Sequence, residues 1–136
     1  MKPGACLLVA LLATAQPCLA RAAEPVRIEL NALDAAQDRC RASFVIENKA
    51  ASAIDSLKLD LVIFGKDGAI NQRLVLEMGP LRAAKTVVKT FELNGNCARV
   101  GSILLNEVTA CSLTEPNTCL DRLVLTSRIA NIRFFK

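Results

Sequence analysis

Cysteine is the residue type in this chain best able to form a covalent or metal-bound centre, because six cysteines stand beside no histidine at all. The missing imidazole excludes histidine acid–base catalysis and histidine metal ligation. It also leaves Ser102 and Ser112 without the base that a nucleophilic serine needs. Asp55, Asp60 and Asp67 are the carboxylates that could be grouped for calcium. Their spacing is not that of an EF-hand loop, and Asp60 falls on the solvent side of its expected strand. All three are read as solvated. Tryptophan and tyrosine are absent and phenylalanine is the one aromatic type, so the usual anchors of binding hot spots are missing. The chain is therefore expected not to be an enzyme, and no cofactor or metal is expected.

The cysteines gain meaning from the compartment. Lys2 opens a short basic start, and Leu7, Leu8, Val9, Leu11 and Leu12 make an apolar run that ends near Pro17. Ala20-Arg21-Ala22 fits a small-residue cleavage site, with a cut after Ala20 as the other option. Residues 1–22 thus read as a secretory signal peptide. The run is too short to span a bilayer, which takes about 20 residues, so no stable membrane insertion is expected once it is removed. Loss of Lys2 and Arg21 lowers the net charge from +4 to +2. That is too small and too scattered to argue for nucleic acid. Cys6 and Cys18 leave with the leader. Cys40, Cys97, Cys111 and Cys119 remain, without a C-x-x-C pair, and an even count in an exported protein reads as two disulfides.

Residues 23–136 must position these cysteines, and they read as one all-β domain. Val26 to Leu33, Cys40 to Asn48, Ile54 to Phe64, Ile70 to Met78, Thr86 to Leu93, Arg99 to Thr109 and Leu123 to Ile132 are expected strands, with Phe134 and Phe135 adding a last contact. Leu57, Leu59, Leu61 and Ile63 alternate inward, with Lys58 and Asp60 outward. Val62 and Phe64 make the end of that strand apolar on both faces, so another part of the chain is expected to cover it. Lys66-Asp67-Gly68 is a hairpin turn. Asp34 to Arg39 is a polar connection with room for a helical turn, and Ile103 to Val108 could be a short helix instead of strand. About seven strands, with a turn roughly every ten residues, predict an antiparallel immunoglobulin-like β-sandwich.

The strands choose among the three cysteine pairings. Cys97 and Cys111 bracket one long strand, roughly 45 Å apart at about 3.3 Å per residue. A disulfide needs Cα atoms within about 7 Å. Cys111 and Cys119 flank a loop that can double back, and Cys40 and Cys97 each open a strand at the same end. Cys40–Cys97 and Cys111–Cys119 are the expected bonds.

The centre of the chain resembles the FxLyD-type family of exported bacterial Ig-like modules. The resemblance is carried by Phe44-Val45-Ile46-Glu47-Asn48, by Leu57 to Phe64 with Lys66-Asp67-Gly68, and by the strand of Phe91. Gly65 departs from it, standing where an aspartate is usual. The whole chain is also similar to small periplasmic proteins of alphaproteobacteria. That likeness implies a neighbourhood near ExbB/ExbD- or Tol-type envelope energisers.

Two function classes are carried forward. The first is a non-catalytic interaction or accessory module of the periplasm with an envelope protein partner. Its expected recognition surface is the loop closed by Cys111 and Cys119, with Leu113, Thr114, Glu115, Pro116 and Asn117, because a closed loop loses little entropy on binding. Arg82, Lys85 and Lys89 form a basic patch that could meet an acidic partner. The second is a carrier of a small ligand or ion, which predicts a cavity between the sheets.

Overall fold

Alternation in the sequence becomes alternation in space. A computed structural model describes residues 23–113 and 116–136; the expected signal peptide, residues 1–22, lies outside the described residues. Eight strands are formed: β1 (Val26–Ala36), β2 (Arg39–Asn48), β3 (Leu57–Gly65), β4 (Ile70–Glu77), β5 (Lys85–Leu93), β6 (Val100–Cys111), β7 (Leu123–Ser127) and β8 (Arg133–Phe135). A 3-10 turn, Cys97–Arg99, precedes β6, and a short helix α1, Pro116–Arg122, precedes β7. The strands make two four-stranded sheets, in the orders β5-β2-β1-β7 and β4-β3-β6-β8. The result is the expected Ig-like sandwich. Its first six strands pair antiparallel, while β7 joins β1 and β8 joins β6 in parallel.

The inward positions fill the space between the sheets. Val26, Ile28 and Leu30 of β1, Phe44 and Ile46 of β2, and Leu57, Leu59, Leu61 and Ile63 of β3 are all buried. Phe44 sits at the centre, with ring centroids 6.1 Å from Phe91 and 5.6 Å from Phe134. Each such side chain contributes about 1.5–3 kcal/mol of apolar burial.

Two expected boundaries move. The polar segment Asp34 to Arg39 forms no helical turn. β1 runs on to Ala36, through a register shift between Leu30 and Ala32, and pairs Asp34 with Arg41. Near a hairpin tip both faces meet water, so apolar alternation stops before pairing does. The segment Leu123 to Ile132 is not one strand. β7 ends at Ser127, whose hydroxyl accepts from the Ile129 N–H at 3.2 Å, and Asn131 takes a positive φ of 63°. The chain thereby turns out of the first sheet into the second. Ile103 to Val108 is strand within β6, and the helix of this region is α1, whose first residue, Pro116, suits a first-turn position that needs no N–H.

Both expected disulfides form, at opposite ends of the sandwich. Cys40–Cys97 has a Cα separation of 4.7 Å and links β2 to the turn before β6. Cys111–Cys119 has a Cα separation of 6.5 Å and ties the end of β6 to α1. No helix among the described residues is long and apolar enough to cross a membrane.

Candidate functional site

The structure describes part of the disulfide-closed loop. Leu113 packs against the core. Pro116 and Asn117 are the first residues of α1. Thr114 and Glu115 lie outside the described residues. Ser112, beside Cys111, fastens the end of β6 to the start of β3, since its hydroxyl accepts from the Asp55 N–H at 2.8 Å and the Ser56 N–H at 3.3 Å.

The three aspartates are kept apart. Asp55 precedes β3, Asp67 lies in the β3–β4 turn, and Asp60 is in the middle of β3. Among the described residues no group of three or more His, Cys, Asp or Glu could hold a metal ion. Asp67 shapes its turn by accepting from the Ala69 N–H at 3.0 Å, and Gly68 supplies a positive φ of 83° there. Asp60 corrects the reading of a solvated carboxylate: it is only 2% exposed. Arg73 of β4 reaches across it with Nε–H donating at 2.9 Å and a second N–H at 2.7 Å, and Asn106 of β6 donates at 2.7 Å. The Arg73 hydrogen bonds hold the Asp60 carboxyl below its ordinary value; burial pushes it up, and Asn106 helps to outweigh that push. Glu77 is a second working carboxylate. Burial raises it, but N–H donors of Leu57 and Gly79 and the Ser56 hydroxyl, all at 2.8 Å, bring it below its ordinary value.

Asp60 belongs to the outer face of the β4-β3-β6-β8 sheet, and that face is not an ordinary solvated one. The registers lay its outward residues in three rows. Nearest the Cys40 end run Ile70, Phe64, Ser102 and Arg133; next come Arg73, Val62, Leu104 and Phe135; then Val75, Asp60 and Glu107. Val62 is 7% exposed although it points away from the core, and Phe64, Leu104 and Phe135 are half-buried. Arg133 stacks on Phe135, 4.7 Å from the ring centroid. Val62 is thus covered and Phe64 partly so, whereas Ile70 and Val75 on the same face stand 66% and 54% exposed. Large apolar side chains gathered on one exposed face are the mark of a contact surface.

The basic patch divides. Arg82 and Lys85 are exposed, but Lys89 lies on the same side of β5 as Val87 and Phe91 and donates to the Gly79 carbonyl at 2.8 Å. Asn48, which ends the Phe44–Asn48 run, is 1% exposed. Its amide donates to the Ser52 and Arg82 carbonyls at 3.0 and 3.2 Å, and its oxygen accepts from the Ala50 N–H at 3.1 Å. It fastens the β2–β3 and β4–β5 connections to each other. Its place at the end of a strand before a loop is its signal in the sequence.

No family model matches the chain, and no curated protein or solved structure matches it.

Proposed function

We propose that this protein is a non-catalytic interaction module of the bacterial periplasm, exported by its leader. The row Val62–Leu104–Phe135 and its exposed neighbours Ile70 and Val75 form the docking face for an envelope protein. The observation that carries the proposal is the gathering of these side chains on the outside of one sheet, next to a buried carboxylate fixed by Arg73 and Asn106. That carboxylate ties three strands into one rigid platform, which lowers the ordering cost of binding. The partner's matching surface is apolar at its centre. Two disulfides suit an oxidising compartment. The resemblance to small periplasmic proteins directs the first search to ExbB/ExbD- or Tol-type systems.

The test is cross-linking in living cells followed by purification of the tagged protein, run in parallel on the native chain and on an Ile70→Ser, Val75→Ser variant. A recurrent envelope protein that accompanies the native chain and is lost from the variant supports the module. An unaccompanied monomer, or a partner retained equally by both, counts against it.

A further inference from the structure

A cleft of about 680 Å³ opens at the Cys40 end of the sandwich, where the β3–β4 turn, the 3-10 turn before β6 and the β7–β8 connection meet. Its size is that of a small-molecule site, for which roughly 300–1,000 Å³ is usual. Its floor is apolar: Val100 is buried, and Leu33, Ile129 and Ile132 are half-buried against the core. Two cations border it, Lys66 and Arg133, and no aspartate or glutamate lines it. Neither cation belongs to an ion pair among the described residues.

The walls are held in place before any ligand arrives. The Cys40–Cys97 bond anchors the 3-10 turn, and the Asn96 side chain caps it by accepting from the Ala98 N–H at 2.8 Å. On the opposite wall, Arg128 N–H donates to the Leu30 carbonyl at 2.9 Å, which pins the β7–β8 connection to β1. Gly101 keeps the lining thin, since a Cβ there would stand 2.5 Å from the Gly65 carbonyl oxygen. Stacking on Phe135 engages the flat face of the Arg133 guanidinium. The N–H edge stays free for a planar anion, which an arginine fork fits in bidentate fashion.

We infer that this cleft is a binding site for an organic carboxylate with a short apolar body, the body on Leu33, Val100, Ile129 and Ile132 and the carboxylate between Lys66 and Arg133. A solvated lysine or arginine alone would carry no ligand. Here both cations border one apolar floor. The cleft borders the outer apolar row through the Arg133–Phe135 stack, but its floor of Leu33, Val100, Ile129 and Ile132 is not part of that row.

Octanoate is the probe, with 1-octanol as the same body without the charge. Amide chemical shifts of the ¹⁵N-labelled protein, purified as the cell processes it, are followed as each is added. Octanoate is expected to move the amides of Gly65, Ser102, Ile129 and Ile132 saturably, and 1-octanol to bind about tenfold more weakly. Lys66→Gln and Arg133→Gln should each weaken octanoate by a similar factor. Lys66→Gln leaves the Phe135 stack untouched, so it keeps the test valid if Arg133→Gln disturbs β8. Three results would overturn the assignment: no saturable shift, equal binding of octanoate and octanol, or shifts centred on the Val62–Leu104–Phe135 row.

Discussion

The two outer faces of this sandwich are built from the same kind of strand and present different side chains. On the β5-β2-β1-β7 sheet the outward rows read Glu92-Arg41-Asp34, Thr90-Ser43-Ala32, Val88-Val45-Glu29-Thr126 and Thr86-Glu47-Arg27-Val124. Charges and hydroxyls dominate, and their ion pairs are loose: Arg39–Glu92 and Lys49–Glu47 are each 3.6 Å apart and exposed. Such pairs contribute little to stability. On the β4-β3-β6-β8 sheet the outward rows place Val62, Phe64, Leu104 and Phe135 side by side and bury Asp60 beneath Arg73. An outward-pointing residue is therefore not the same as a solvated one. What decides is the pair of neighbours on the adjoining strands.

The sharpest way to break this contrast is to place a charge at matched positions on the two faces. Val62→Asp puts an unpaired carboxylate among buried side chains and should cost about 3 kcal/mol or more in chemical denaturation. Val88→Asp, at a site 65% exposed, should change stability by no more than about 0.5 kcal/mol. Equal losses at the two sites would erase the distinction.

A smaller effect is expected in the response to acid. Asp60 and Glu77 both titrate below their ordinary values of 3.8 and 4.5 in the folded protein. As pH falls below those values the unfolded chain binds more protons than the native one. The stability these carboxylates contribute is thus complete above about pH 4.5 and is lost as pH drops through the folded-state values. Asp60→Asn should flatten the acid limb of a stability–pH curve. Arg73→Ala should destabilise more than Asp60→Asn at neutral pH, because it strands a buried charge with Asn106 as its remaining side-chain partner. The opposite order would show that the cluster contributes less than its geometry implies.

Ile70→Ser and Val75→Ser sharpen the comparison at the surface itself. Each should alter stability by no more than about 0.5 kcal/mol, since both side chains already meet water. Each should also lower the binding of an apolar dye to the folded protein, whereas Val88→Ser should lower it less. A uniform response across the three positions would argue against a patch on one face.

Sequence patterning carried the fold well because it reports on one strand at a time. The alternation Leu57, Leu59, Leu61, Ile63 placed the core face of β3, and the strand directions led to both disulfides. The same one-strand view explains what it missed. Asp60 is buried by Arg73, thirteen residues on, and by Asn106, forty-six residues on. No window along β3 contains either partner. β1 continues past its last alternating residue because hairpin pairing holds exposed polar residues in strand. Leu113 was read as part of a free loop although it packs on the core, since a lone leucine among polar neighbours carries no period. The outer apolar row was half visible: Val62 and Phe64 showed an apolar excess, but Leu104 and Phe135 join them only through the registers of β6 and β8.

Photo-cross-linking residues introduced singly at Ile70, Val75 and Phe135 on one face, and at Thr86, Val88 and Thr90 on the other, test the central claim most directly. The protein is expressed in its own cells, irradiated and examined for discrete higher-mass species. One partner band from the first three positions and none from the second three is the predicted result. Bands from both faces alike, or from the Thr86, Val88 and Thr90 positions alone, would contradict it.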